Sequence, residues 1–323
     1  MADTPNGQVT TVSSGVENTY YGLPVIRAPN WHWLVVHYFF LGSLAGGGFV
    51  LSVIADLLGK DRAIVRAARY LSAVAILPCP ALLALDLGRP DRALHMLRIV
   101  KLRSPLNLGS WALLAMGGFS TLSGALQLAS DVLGREILAV PRRVLGIAGL
   151  PFSYFLSGYT GLLLAVTNVP LWAKFWPFMG PSFMCGAFSN SLAAISLILQ
   201  AGGEEQPETV RDLARAEVAC LATEATLLTA GLVKTGKLSK PLTASRWAFV
   251  FWPATYFAGI LIPMALHLTG PARGKETSPQ RRMLTSIMVL IGGYCLRASM
   301  VFAGHISAER PEDYFEYTKM GNG

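Results

Sequence analysis

Eight apolar runs recur along the chain, each long enough for a helix to cross a hydrocarbon layer about 30 Å thick. They cover roughly 33–58, 67–86, 108–129, 144–168, 178–200, 213–234, 246–268 and 283–303. No other feature constrains the fold as strongly. Inside lipid every backbone N–H and C=O must find a partner within the protein, which leaves helices or a closed barrel. Barrel strands alternate apolar and polar residues, whereas these runs are continuously apolar. The expected fold is therefore an all-α integral membrane protein of about eight transmembrane helices. Composition agrees: 52% of the 323 residues are hydrophobic and 14% charged, against roughly 25% charged in a soluble domain.

The first 32 residues are polar, with no basic leader before a short apolar core, so no cleaved signal peptide is expected. The first span is read as its own uncleaved insertion signal. The net charge of +8 points to a membrane face before nucleic acid, and no nucleic-acid partner is expected. Three loops on one side are short and basic: Lys60, Arg62, Arg66 and Arg69; Arg135, Arg142 and Arg143; Arg273, Lys275, Arg281 and Arg282. The other side carries Arg89, Arg92, Arg98, Lys101 and Arg103, then Lys234, Lys237, Lys240 and Arg246. The count comes close to a tie and decides the orientation only weakly.

Cys79, Cys185, Cys220 and Cys295 fall in four different spans without metal-ligand spacing, so they read as small core residues. The run Gly42-Ser43-Leu44-Ala45-Gly46-Gly47-Gly48 lies at membrane depth. There, small residues serve close helix packing better than phosphate binding. Trp31-His32-Trp33 places its end of span 1 at an interface. His37 follows Trp33 by one helical turn on the same face, and an ionisable group at that depth is a functional candidate, with a satisfied packing histidine as the alternative. Of the five histidines only His37 is clearly inside a span. The four ligands of a di-haem cytochrome are absent, and neither haem nor an iron–sulfur cluster is expected in this chain. Asp56, Glu217, Glu224, Tyr159, Ser189-Asn190-Ser191 and Arg297 add polar groups within or at the ends of spans. So many point to an interior that handles protons or a polar headgroup.

The ordered segments HYFFLGSLAGGGF in span 1, LDLGRPDRALHML after span 2, SPLNLGSW (Ser104–Trp111), SGYTGLLLAVTNVPLW and LIGGYCLRASMVFAGH resemble the NrfD-like membrane subunit of polysulfide reductase. The likeness runs from Tyr21 to His305. It implies two four-helix bundles, 33–168 and 178–303, between an extracytoplasmic segment 1–32 and a tail 304–323. It also implies a bacterial or archaeal cytoplasmic membrane, with both termini outside the cytoplasm and the three short basic loops inside it.

The resemblance further implies a menaquinone or ubiquinone pocket near the outer face. A ferredoxin-like iron–sulfur subunit would dock there and lead to a catalytic subunit, for example a molybdopterin enzyme. The chain would then be a quinone-reactive subunit with no activity of its own toward the terminal substrate. His37, Asp86 and Tyr159 are the side chains expected to bind and protonate the quinone, with Trp33, Arg89, Ser110 and Arg297 around it. Gly88 and Pro90 would stop the second helix beside Asp86; an Asp86–Arg89 ion pair at that helix end is the alternative. In the family pattern a polar residue precedes the histidine by a turn or less, whereas Leu34-Val35-Val36 is apolar, and Trp33 or His32 are the substitutes at hand. The basic loop 87–107, with Arg98, Lys101 and Arg103, is the expected docking surface. Asp56, Glu217 and Glu224 are candidates for a proton path. A competing reading makes the same carboxylates the relay of a proton-coupled secondary transporter or ion-translocating subunit, with the span 1 glycines and Ser189-Asn190-Ser191 as its helix breaks. A plain anchor with structural polar residues is the third.

Overall fold

A computed structural model describes residues 25–87, 95–101, 103–134, 138–204 and 206–320. Among them the structure is helical, with no strand. Eight helices are long and apolar enough to cross a membrane: span 1 Trp33–Leu57, span 2 Arg62–Asp86, span 3 Pro105–Leu133, span 4 Ala139–Ala165, span 5 Pro170–Gly202, span 6 Pro207–Thr243, span 7 Ala248–Arg273 and span 8 Pro279–Glu309. The chain is a multi-pass membrane protein. Eight crossings bring Trp33 and Glu309 to the same side, here called the first side.

The helices overrun the apolar stretches, and capping explains why. Spans 3, 5, 6 and 8 start on Pro105, Pro170, Pro207 and Pro279. Proline suits the first helical turn, where its missing N–H costs nothing. Ser104 and Ser278 cap their helices by accepting from the Asn107 and Arg281 amides, and Asp61 caps span 2 by accepting from Ala63. A hydropathy reading cannot see a helix that begins in polar residues. Span 8 likewise runs past 303 to Glu309, and a further helix, Pro311–Met320, occupies the stretch expected to be a tail.

Two spans depart from regular helix. Span 2 breaks between Ile76 and Cys79, where Pro78 and Pro80 crowd the backbone. Span 7 widens into a π-helix over Phe251–Leu261, which re-aims side chains relative to an α-helix.

Spans 1 and 5 form the centre. Span 1 packs on spans 2, 4, 5 and 8, and span 5 on spans 1, 4, 6 and 8. The three consecutive glycines of span 1 face three different neighbours, as helical steps of about 100° require. A Cβ on Gly46 would lie 2.9 Å from the Ser153 carbonyl oxygen of span 4, one on Gly47 2.6 Å from the Ala187 carbonyl oxygen of span 5, and one on Gly48 3.4 Å from the Ala68 carbonyl oxygen of span 2. The run is packing surface. Span 4 packs against span 5 as well as span 3, so these contacts do not by themselves divide the chain into two four-helix bundles.

Candidate functional site

At the first side, span 1 opens with Trp31-His32-Trp33, and its residues diverge around the helix. Trp33 packs on Phe302 of span 8 (centroids 4.7 Å apart) and on Trp247, the residue just before span 7 (6.2 Å). One turn deeper on the same face, His37 is exposed. Its Nδ1 lies within hydrogen-bond distance of the Trp33 carbonyl, and its Nε2 3.3 Å from the Tyr294 hydroxyl. The Tyr294 ring also stands edge-on to Phe40 at 5.6 Å. His37 thus has a hydroxyl partner on span 8, an aromatic surround and an open side. His32 turns elsewhere. It lies beside the Asp86 carboxylate and within electrostatic range of His305. Asp86 Oδ1 is shut off from solvent without a hydrogen-bond partner among the described residues.

The other expected residues fall on different faces. Tyr159 is buried and donates to the Pro105 carbonyl at 2.8 Å, fixing the start of span 3 from span 4. It faces Tyr38 and Gly109. Ser110 turns back on its own helix to donate to the Leu106 carbonyl. Arg89 lies outside the described residues, as do Gly88, Pro90 and Arg92. Among the described residues His37, Asp86 and Tyr159 have different partners: His37 meets Tyr294, Asp86 lies by His32, and Tyr159 faces Tyr38 and Gly109.

Arg297 lies in the centre, fully buried. It donates to the Gly293 carbonyl (2.8 Å), to Ser43 Oγ of span 1 (3.1 Å) and to the Phe183 carbonyl of span 5 (3.4 Å). Glu224 of span 6 approaches the same place and accepts from Ser189 Oγ at 3.3 Å. Only glycine leaves room between them: a Cβ on Gly186 would lie 2.6 Å from Glu224 Oε1 and 3.3 Å from Arg297 Nη1. Two turns nearer the second side, buried Glu217 has His267 Nε2 of span 7 at 3.4 Å, within ion-pair range though outside hydrogen-bond geometry. His267 also lines a small cavity with Gln200, Thr209 and Arg282, and Arg282 continues into a second cavity of about 300 Å³ with Arg211 and Lys275. Asp56 stands apart, paired to Arg69 and Arg143 at 3.3 Å each. Among the described residues no three His, Cys, Asp or Glu side chains gather as a metal site.

Of the loop 87–107, Leu87 and residues 95–101 and 103–107 are described. Asn107 pins it, accepting from the Lys101 amide and donating to the Met96 carbonyl, both at 2.7 Å. Arg98, Lys101 and Arg103 are exposed.

The family model described as "Polysulphide reductase, NrfD" matches residues 24–309. The chain belongs to the NrfD family. Among its relatives, a "Protein NrfD homolog" of Haemophilus influenzae is 24% identical over 320 residues, which cover 89% of this chain and 98% of that protein. The polysulfide reductase C-chain of Wolinella succinogenes is 25% identical over 309 residues, covering 85% of this chain and 94% of its own length. The match places every residue above within the NrfD-family region except those of the terminal helix.

Sequence reading missed Tyr294 and the pairing of His267 with Glu217. Tyr294 carried a signal, since it precedes Arg297 by three residues and so lies close to it around span 8. The His267–Glu217 contact had none, because its partners lie on separate spans.

Proposed function

We propose that this NrfD-family chain is the quinone-reactive membrane subunit of a respiratory oxidoreductase complex in a bacterial or archaeal cytoplasmic membrane. The observation that carries the proposal is the His37–Tyr294 pair. It offers an imidazole and a phenol side by side, open on one side and walled by aromatic rings. Reduction of a quinone to quinol takes two electrons and two protons, so its site needs groups that hydrogen-bond a carbonyl and exchange protons. His37 binds one carbonyl oxygen, and Tyr294 orients the imidazole or takes part in the same hydrogen bond. Asp86, beside His32, exchanges protons with the first side. Tyr159 holds the spans 3–4 junction behind the site. Electrons come from, or go to, an iron–sulfur subunit docked on the basic loop bearing Arg98, Lys101 and Arg103, and a catalytic subunit beyond it acts on the terminal substrate. The pairing His267–Glu217 and the Glu224–Arg297 centre supply a polar line from the second side, in which a proton moves between carboxylate and imidazole. Asp56 has no part in that line.

An azido-quinone photolabel applied to the complex purified with its native partners tests the location. Labelled peptides should contain His37–Phe40 and Tyr294. Labelling confined to peptides around Tyr159 and Gly109 would move the site to the Tyr38 side of span 1, and labelling of partner subunits alone would remove it from this chain.

A further inference from the structure

Between the second-side ends of spans 5, 6, 7 and 8 lies a cavity of about 20 Å³, room for roughly one water molecule. Each of the four helices gives its wall a polar group: Ser196 and Gln200 from span 5, Thr209 from span 6, His267 from span 7 and Ser286 from span 8. Thr209 donates to Asp61 at 3.1 Å and Gln200 to the Pro279 carbonyl at 2.6 Å, and both keep an oxygen that can accept. An internal water takes roughly two to four such partners. Val210, Pro271 and Arg282 line this cavity and also the neighbouring one of about 300 Å³, which reaches the exposed residues Gly274, Lys275 and Glu276. Solvent at the second side therefore has a route inward. Arg282 is itself engaged, donating to the Thr277 carbonyl at 2.6 Å.

Beyond the cavity stand two buried ionisable groups whose bonding is incomplete. Glu217 is 0% exposed and His267 7%. Both Glu217 oxygens and His267 Nε2 lack a hydrogen bond among the described residues, and Nε2 lies 3.4 Å from Glu217 Oε2. That is just past the ordinary N–H···O range of about 2.7–3.2 Å. A carboxylate so enclosed is costly unless a donor reaches it. The imidazole touches both places: it lines the cavity, and its Nε2 faces Glu217, so Nδ1 is the nitrogen left for the cavity. A neutral imidazole accepts at one nitrogen and donates from the other. Set between a water and a carboxylate, it can pass a proton through itself.

We infer that this cavity binds one water molecule, and that His267 carries protons between that water and Glu217. The water gives a proton to Nδ1 while the proton on Nε2 passes to the carboxylate. The water then takes a proton from second-side solvent, and the ring returns to its first tautomer. One proton enters for each that reaches Glu217, and no electron moves. The water site stands on the cavity and the incompletely bonded groups; the shuttle rests on the polar line proposed above.

Radiolysis of the full complex in heavy-oxygen water, read by mass spectrometry, marks side chains that touch water and tests the site. Leu199 and His267, on the cavity's lining, should take the label despite their burial. Leu228 of span 6, fully buried and outside that lining, should not. Filling the cavity from two different spans, with Ala214→Val or Ser196→Val, should remove the label from Leu199, with an unchanged melting temperature showing that the variant folds. Label at Leu199 and His267 no greater than at Leu228, or label that survives both fillers, would overturn the water site. Proton uptake from the second side, measured on the complex in vesicles, tests the shuttle. Both fillers and His267→Ala should slow it by about 100-fold, the scale of a lost acid–base group. Imidazole in the medium should restore part of the His267→Ala loss, which a merely structural histidine would not allow. Unchanged uptake in His267→Ala would overturn the shuttle even with the water in place. A wild-type complex that takes up no proton from that side would overturn the polar line itself, and the labelling would still decide the water site.

Discussion

Two regions of the molecule hold ionisable groups inside the membrane, and they are built on opposite plans. At the His37 end the imidazole is exposed, bonds to Trp33 and Tyr294, and is surrounded by aromatic rings. At the Glu224–Arg297 centre every group is closed off and tied across spans: Arg297 to spans 1 and 5, Glu224 to span 5. Desolvation explains the contrast. A charge in the packed interior survives only when fixed partners replace its water, so the centre is over-determined and rigid. A group that must meet an arriving ligand has to keep a free side, so the His37 end leaves one open. Substitutions in the centre should therefore cost stability first, with proton supply lost alongside it, whereas those at the end should cost activity alone.

The sharpest way to break this contrast is in the centre. Arg297→Met removes the positive charge near buried Glu224 together with the donors to Gly293, Ser43 and Phe183, and should cost about 3–5 kcal/mol, the scale for a buried charge left uncompensated. The double variant Glu224→Met/Arg297→Met should recover most of it. Denaturation in detergent measures both, and equal losses in the single and double variants would mean that the two groups are not coupled. At the His37 end the effect should be smaller in energy and confined to turnover. His37→Ala should slow quinone-linked turnover by about 100-fold, the usual scale of a lost acid–base group, while the melting temperature stays within about 1 °C, as for a surface substitution. Tyr294→Phe should show a weaker form of the same split.

Between these lies the glycine surface that brings the spans together. Gly47→Ala would drive a methyl group against the Ala187 carbonyl and should cost about 1–3 kcal/mol without a specific effect on quinone turnover. A change in turnover alone would assign the glycine run to the site instead.

The smallest effect concerns the terminal helix. Burial raises the Asp313 carboxyl above its ordinary value of 3.8 against the pull of Arg310, while Ser307 donates to it at 3.1 Å. A folded-state carboxyl with a raised pKa favours the docked helix at low pH, and this contribution fades as pH rises through the raised pKa. Amide protection of residues 311–320 should therefore decline on that rise, and Asp313→Asn should flatten the dependence.

How much of this is legible in the sequence follows from the range of each signal. Eight spans and the packing role of Gly46-Gly47-Gly48 are local, written in hydropathy and residue size, and the structure bears them out. Hydropathy sets the span ends short because prolines and capping serines start helices in polar sequence. The family is legible too, since its segments keep their order along the chain. The site is legible only by residue type. His37 and Asp86 stand out as ionisable groups near span ends, yet which way each points depends on helix rotation. Tyr159 belongs to the same ordered motif set but is committed to Pro105. Glu217 and Glu224 share a helix face and could be paired on paper, whereas His267 and Arg297 reach them only through the packing of spans 7 and 8. The π-helix of span 7 leaves no trace in hydropathy, because the run is as apolar as its neighbours.

The central claim is that quinone reacts at the His37–Tyr294 end, and it is tested most directly by comparing two turnovers in one preparation. The complex carrying His37→Ala would be assayed once with quinol or quinone and once with an artificial redox dye that exchanges electrons directly with the partner subunits. The account predicts dye-linked turnover at the wild-type level and quinone-linked turnover lower by about 100-fold, as for a lost acid–base group. Normal quinone-linked turnover in a fully assembled His37→Ala complex would contradict it.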